Sequence, residues 1–312
     1  NLGGPACIGP GSVLLTVLPL FHTGGLNCYT NPVLHAGGTV MIMRAFDPGT
    51  ALGLIGDPAQ GINVFFGVPA IYQFMAQHPA FATTDLSRLI VGGVGGAPMP
   101  VPLLKAWEAR GVALQQGYGM TETSPVVSVN TVEENDPHSV GHVLDGIEVR
   151  LGDNDELLVR GPSVMLGYWH KPDETRRVKD TDGWLHTGDQ ARIDNGRITI
   201  TGRIKDILVT STGEKIAPVD LETAIVADPL FEQALVVGEQ RPFLAALVVL
   251  DAKSWVQEKE RLAASGKQGG AAERAALLAR IAAAVKVYPS YATPRAVWWT
   301  LDPWTISAGL LT

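Results

Sequence analysis

In the first hundred residues, short and almost continuously apolar runs alternate with segments of helical periodicity. That alternation constrains the fold more than any other feature. Val13–Leu18, Thr39–Met43, Asn63–Gly67, Leu89–Gly92 and Val112–Gln115 are rich in Val, Ile, Leu and Phe. Strands buried on both faces have this texture. Between them, Asp47–Ala59, Pro69–Gln77 and Pro100–Arg110 read as helices, the last with Leu103, Leu104 and Trp107 on one face. Pro69 and Pro100 suit first-turn positions. The βαβ rhythm predicts a parallel sheet covered by helices.

The texture then changes twice. From about Ser139, the short β segments Glu148–Leu151, Glu156–Val159 and Arg197–Thr201 are separated by Gly, Asp and Asn turns, which predicts an antiparallel or barrel-like piece. Beyond Arg203, Pro218–Asp228 reads as a helix and Ala234–Val237 with Leu244–Leu250 as a hairpin. Glu222 falls early in that helix, where a helix-dipole role accounts for it. Ala271–Val287 reads as an Ala-rich helix with Leu277, Leu278, Ile281 and Val285 inward, after a polar loop Ser265–Gly270. Trp298, Trp299 and Trp304 read as core. The 312 residues fit two domains at about 150 residues each. The expected fold class is α/β: a large domain, 1–204, with a mainly parallel sheet, helices and a small barrel-like piece, then a small α+β domain, 205–312.

Composition narrows the function. Apolar residues make up 46% and charged residues 18%, which excludes a disordered chain and supplies a sizeable core. With 24 basic and 31 acidic residues, the net charge of −7 argues against nucleic acid as the main partner but leaves room for one nucleotide. Cys7 and Cys28 are too few for a disulfide framework or a four-ligand zinc site, as expected of a reduced, cytoplasmic protein. No apolar run reaches the ~18 residues of a membrane span. Thirty-five glycines exceed the usual ~7%, and the excess points to tight turns and close backbone approach to a ligand.

Several glycines fall in strings with chemical content. Gln116-Gly117-Tyr118-Gly119-Met120-Thr121-Glu122-Thr123 follows a predicted strand and is expected to form a loop at its C-terminal end, where open α/β sheets bind ligands. Glycine admits close backbone approach, Tyr118 offers a flat face, Thr121 a hydroxyl, and Glu122 a carboxylate suited to Mg²⁺. Val91–Pro98 is a second glycine-rich strand end whose small residues leave a slot for a planar ring. In Gly183–Asp189, Asp189 suits two ribose hydroxyls; in Gly202–Asp206, Arg203 suits ribose or phosphate.

Six strings occur in order: Pro19–Gly25 (PLFHTGG), then GGAP, GYGMTET, ELLVRGP, GWLHTGD and GRIKD. In this order the chain resembles the adenylate-forming superfamily of acyl-CoA synthetases, luciferases and nonribosomal-peptide adenylation domains. The resemblance implies that Gly95, Gly96, Ala97, Pro98, Gly117 and Gly119 line an adenine pocket, with Tyr118 on the base. It implies that Thr121 contacts phosphate, Glu122 holds Mg²⁺, Asp189 binds ribose and Arg203 supports the nucleotide. His22 would lie beside the reacting carboxylate, with Val68 and Gly93 near the acyl pocket. Lys205 matches a hinge between half-reactions, and Gly213 a loop that approaches the CoA arm. The implied substrates are ATP, a carboxylic acid and CoA, joined through acyl-AMP.

The resemblance also implies parts that this sequence lacks. The family's Ser/Thr/Gly-rich phosphate loop should precede Pro19, and Pro303–Thr312 resembles the run just before the family's C-terminal lysine. The chain begins Asn1-Leu2-Gly3-Gly4, which is neither an initiator methionine nor a signal peptide. The expectation is a fragment cut at both ends. Pro19–Met99 is similar to short- and medium-chain or aryl-acid members and Asp155–Thr312 to bacterial long-chain ones; the acyl chain length stays open, and a fatty acid is the expected substrate because the C-terminal match is the longer. Transfer to a carrier protein, or a non-catalytic nucleotide- or acyl-binding remnant, are the alternatives.

Overall fold

The computed structural model describes residues 2–204, 206–266 and 269–304. Backbone contacts divide the chain into two compact units, Asn1–Thr201 and Gly202–Thr312.

The first unit is organised by one sheet. Its strands are β1 (Val13–Thr16), β2 (Thr39–Ile42), β3 (Val64–Gly67), β4 (Val91–Val94), β5 (Leu114–Gly119), β6 (Val126–Val129), β7 (His142–Val143), β8 (Glu148–Leu151), β9 (Glu156–Arg160), β10 (Leu185–Asp194) and β11 (Arg197–Arg203). The spatial order is β2-β1-β3-β4-β5-β6-β7-β11-β10-β9-β8. From β2 to β5 all pairs are parallel. From β5 to β6 and outward through β9 to β8 they are antiparallel.

Alternate residues of the parallel strands feed opposite faces, as a pleated strand requires. Leu15 and Phe65 join one buried cluster with Tyr72 and Trp107, while Leu14 and Val64 join another with Tyr29, Val127 and Leu157. The first cluster is covered by helices. After the short α1 (Asn31–His35) come α2 (Pro48–Gly56), α3 (Pro69–Gln77) and α4 (Val101–Glu108). They bury Leu52 and Ile55, Tyr72 and Met75, and Leu103, Leu104 and Trp107 respectively. Pro69 occupies the first turn of α3 as expected, whereas Pro100 sits one step earlier, at the N-cap of α4. A further short helix, α5 (Pro172–Val178), puts Asp173 and Glu174 in its first turn and Arg176 and Arg177 in its last, matching the helix dipole.

In the second unit β12 (Leu208–Val209) pairs antiparallel with β13 (Lys215–Ile216). The expected hairpin is β14 (Phe231–Val237) with β15 (Ala245–Leu250), and β16 (Ala296–Thr300) joins β15 in parallel. With α6 (Pro218–Val226), α7 (Ala252–Ala264) and α8 (Gly270–Ala284), these enclose a core of Leu221, Ile225, Val248, Leu277, Ile281 and Val285. Glu222 is no dipole residue: its carboxylate accepts the Val236 amide N–H at 2.8 Å, and burial raises its pKa. Strand alternation also corrects the tryptophans. Val297 is buried while Trp298 beside it is 56% exposed, and Trp299 is half-buried against Trp255.

Candidate active site

The glycines of Gly117-Tyr118-Gly119 do not form a loop. They are the second half of β5, and this corrects the sequence reading. Leu114–Gln116 pair in parallel with Gly92–Val94, whereas Gly117, Tyr118 and Gly119 pair antiparallel with Val129, Ser128 and Val126. The strand changes partner type at the point where the glycines begin. The physical reason is room: a Cβ on Gly119 would land on the Pro125 carbonyl oxygen, and one on Gly117 would come within 3.1 Å of the Ser128 oxygen. Only glycine lets β5 run this close to β6.

The other glycine string faces the same seam. A Cβ on Gly95 would lie 3.1 Å from the Gly117 carbonyl oxygen. Gly95 is buried at the end of β4, and Gly96 (φ +82°), Ala97 and Pro98 follow it as an exposed rim. Gly96 approaches Val68, which caps α3. Beneath the rim, Gly93 has no side chain where the Tyr29 hydroxyl packs, and its carbonyl accepts the Tyr72 hydroxyl at 2.8 Å.

Asp189 reaches this seam from β10, 71 residues later in the chain. It is 7% exposed, and the Tyr118 hydroxyl donates to its Oδ2. The residues singled out for base and ribose are thus brought into direct contact.

Glu122 follows on a short 3₁₀ turn, Thr121–Thr123, with Thr121 exposed and Glu122 half-buried. Its Oε1 accepts the Tyr168 hydroxyl at 2.7 Å, and its backbone oxygen accepts the Met165 N–H at 2.8 Å. Burial first, and this bond second, push the Tyr168 hydroxyl up to about 12. Nothing in the sequence pattern singled out Tyr168; only the fold joins it to Glu122. Among the described residues no group of three or more His, Cys, Asp and Glu could hold a metal. A lone carboxylate still fits Mg²⁺, which usually takes one or two carboxylates and fills its shell with phosphate and water oxygens.

His22 lies on the exposed segment after β1, and its Nδ1 accepts the Gly24 N–H at 3.0 Å. In the neutral ring Nε2 therefore carries the proton. A π-helical turn, Gly24–Thr30, starts directly after it. Because β1 to β4 are parallel, His22, Val68 and Gly95–Pro98 all follow the C-terminal ends of their strands.

Arg203 and Gly213 belong to the second unit. Arg203 ends β11 and is exposed. Gly213 (φ +85°) sits in the turn between β12 and β13, where its positive φ suits glycine. Lys205 and the stretch Thr305–Thr312 lie outside the described residues.

Open α/β sheets bind ligands at the carboxyl ends of their strands, and here those ends carry the glycine strings, with Asp189 brought against Tyr118. The comparisons narrow this class. Residues 4–169 match the AMP-binding enzyme family and residues 205–287 the AMP-binding enzyme C-terminal domain. The chain belongs to the AMP-binding enzyme family. A feruloyl-CoA synthase of Amycolatopsis sp is 37% identical over 241 residues, 73% of this chain and 48% of that protein. The long-chain-fatty-acid–CoA ligase FadD15 of Mycobacterium bovis is 40% identical over 195 residues, 62% of this chain and 32% of that one. The ATP-bound crystal structure of MatB from Rhodopseudomonas palustris superposes with a TM-score of 0.77 at 27% identity, covering 96% of this chain and 58% of that one. The chain spans about half the length, or less, of the curated relatives it matches. Among the described residues no helix is long and apolar enough to cross a membrane.

Proposed function

We propose that the chain carries the nucleotide and acid site of an ATP-dependent acid–CoA ligase. A carboxylate oxygen attacks the α-phosphorus of ATP, forming acyl-AMP as pyrophosphate departs. The CoA sulfur then attacks the acyl carbonyl, its thiol proton is lost, and the C–O bond to AMP breaks. Such chemistry needs positioning and charge compensation rather than a side-chain nucleophile.

The observation that carries this reading is the Tyr118–Asp189 hydrogen bond beside the bare Gly95 and Gly117 backbones. Asp189 would take the ribose hydroxyls, Tyr118 the base, and Gly95, Gly96, Ala97, Pro98, Gly117 and Gly119 the adenine slot. Thr121 would contact phosphate, and His22 would lie beside the acid. Glu122 would hold Mg²⁺, whose charge, when bound, offsets that of the phosphates. Arg203 would support the nucleotide, Gly213 would approach the CoA arm, and Lys205 would serve as the hinge. The two domains would meet at residue 204, in a cytoplasmic protein.

For the acid, the similarity of Asp155–Thr312 to long-chain enzymes supports a fatty acid. A compact aryl acid is the second reading, favoured by the similarity of Pro19–Met99 to short- and medium-chain or aryl-acid enzymes. Pyrophosphate release by the full reading frame that contains the chain, over aliphatic and aryl acids with and without CoA, tests both. Dodecanoate turning over faster than ferulate supports the first reading, and the reverse order the second. Adenylate accumulating with CoA present points to a carrier-protein acceptor. Absence of both adenylate and thioester with every acid tested overturns the proposal.

A further inference from the structure

We propose that Glu156 is a positioning residue that sets Asp189 for ribose recognition by closing a bulge in β10. The inference rests on the nucleotide reading above. It starts from an irregularity in the ladder. His186 pairs with Leu158, but the next pair is Gln190 with Glu156. From 186 to 190 is four steps on β10, whereas from 158 to 156 is two steps on β9. Two extra residues therefore arch out of the ladder, and a bulge of this kind re-aims the side chains on it.

An arch removes backbone groups from their ladder partners, and each needs another partner when buried. Side chains supply partners for the Gly188 and Asp189 N–H groups and for the Leu157 carbonyl. Thr187 donates its hydroxyl to the Leu157 carbonyl at 2.7 Å and accepts the Asp189 N–H at 3.1 Å. The Gly188 N–H donates to Glu156 Oε1 at 2.9 Å, and Glu156 Oε2 pairs with His186 Nδ1 at 2.8 Å. Gly188 adopts φ +73°, a conformation that favours glycine.

One carboxylate thus spans the start and the middle of the arch, one residue before Asp189. The Glu156 side chain is only 14% exposed. An ionised carboxylate only accepts, so His186 Nδ1 carries a proton in this pair. Glutamate is the side chain that can accept from both donors at once. Remove it and the Gly188 N–H loses its partner, the arch can relax, and Asp189 can leave the position in which Tyr118 meets it.

The test compares dissociation constants for AMP and 2′,3′-dideoxy-AMP in the chain and its Glu156→Ala and Glu156→Gln variants, with Asp189→Asn as reference. The wild type should prefer AMP by about tenfold or more, the scale of a charged hydrogen bond. Glu156→Ala should lose about tenfold in AMP affinity while dideoxy-AMP stays within about twofold, so that the preference collapses as in Asp189→Asn. Glu156→Gln, which keeps one acceptor for Gly188, should fall between the two. Retention of the wild-type preference in Glu156→Ala overturns the positioning role. So does equal weakening of both nucleotides with a lowered Tm, which marks a merely structural contact. A wild type that binds neither nucleotide overturns the nucleotide reading and this inference with it; one that binds both equally leaves the nucleotide reading standing but overturns ribose recognition by Asp189, and this inference with it.

Discussion

The β4–β5 seam and the β14–β15 hairpin are both two-strand ladders inside a hydrophobic unit, and they treat side chains in opposite ways. In the hairpin Val236, Ala246, Val248 and Leu250 fill the core. In the seam Gly92, Gly93, Gly95, Gly117 and Gly119 leave the backbone bare, and neighbours occupy the space: Tyr29 against Gly93, Leu114 against Gly92, Pro125 against Gly119. Glycine weakens a strand, because it packs nothing and loses more entropy on ordering. The difference teaches that the seam gives up side chains of its own so that neighbouring strands and side chains, Tyr29 among them, can approach its backbone closely.

Four measurements would break or sharpen that contrast. The largest effect is expected from Gly119→Ala, whose Cβ has no room beside the Pro125 carbonyl. It should cost more than about 4 kcal/mol in denaturant unfolding of the first unit. A loss near 1 kcal/mol would mean the seam is no tighter than the hairpin. Next, Leu277→Ala in the fully buried face of α8 should cost about 2–5 kcal/mol of the second unit's stability. AMP affinity should meanwhile stay within about twofold, because this change touches core alone; a parallel loss of AMP affinity breaks the division of roles.

Smaller still, Tyr118→Phe deletes the hydroxyl that donates to Asp189. By calorimetry AMP binding should weaken by about tenfold, with Tm nearly unchanged. The smallest effect concerns a helix end. Asp251 caps α7, accepting the Ser254 N–H at 2.7 Å, and hydrogen bonding from Ser254 lowers its pKa. Its contribution is therefore complete above the unfolded carboxyl value and fades as pH falls through the folded one. Asp251→Ala should cost about 1 kcal/mol at neutral pH and less in acid, with no change in AMP affinity.

Much of the first unit was legible along the chain, because strands buried on both faces must be continuously apolar. β1 to β3 and α2 to α4 fall within the segments that the pattern marked, while β4 overlaps its segment Leu89–Gly92 by two residues and runs on to Val94. Several of the missed elements hold residues that serve two purposes. Leu185–Asp194 alternates like a strand but carries the ribose motif and a bulge, and Gly24–Thr30 winds as a π-helix around a glycine pair. In α7, Trp255, Glu258 and Leu262 are buried together. The buried Glu258, which accepts Arg261 and faces Arg280, hides the helical stripe from a purely apolar reading.

The sequence by itself determined the class of sheet, the family and the short strings proposed for the nucleotide, because these are local: apolar runs, turn residues, glycines at fixed offsets. Tertiary structure alone decided which strings meet. Tyr118 with Asp189, Glu122 with Tyr168 and Glu156 with Gly188 are separated by 71, 46 and 32 residues. Pairs so distant carry no periodic signal; Tyr118 meets Asp189 and Glu156 meets Gly188 because β5, β9 and β10 belong to one sheet, and a two-residue bulge in β10 arches the segment that carries Asp189.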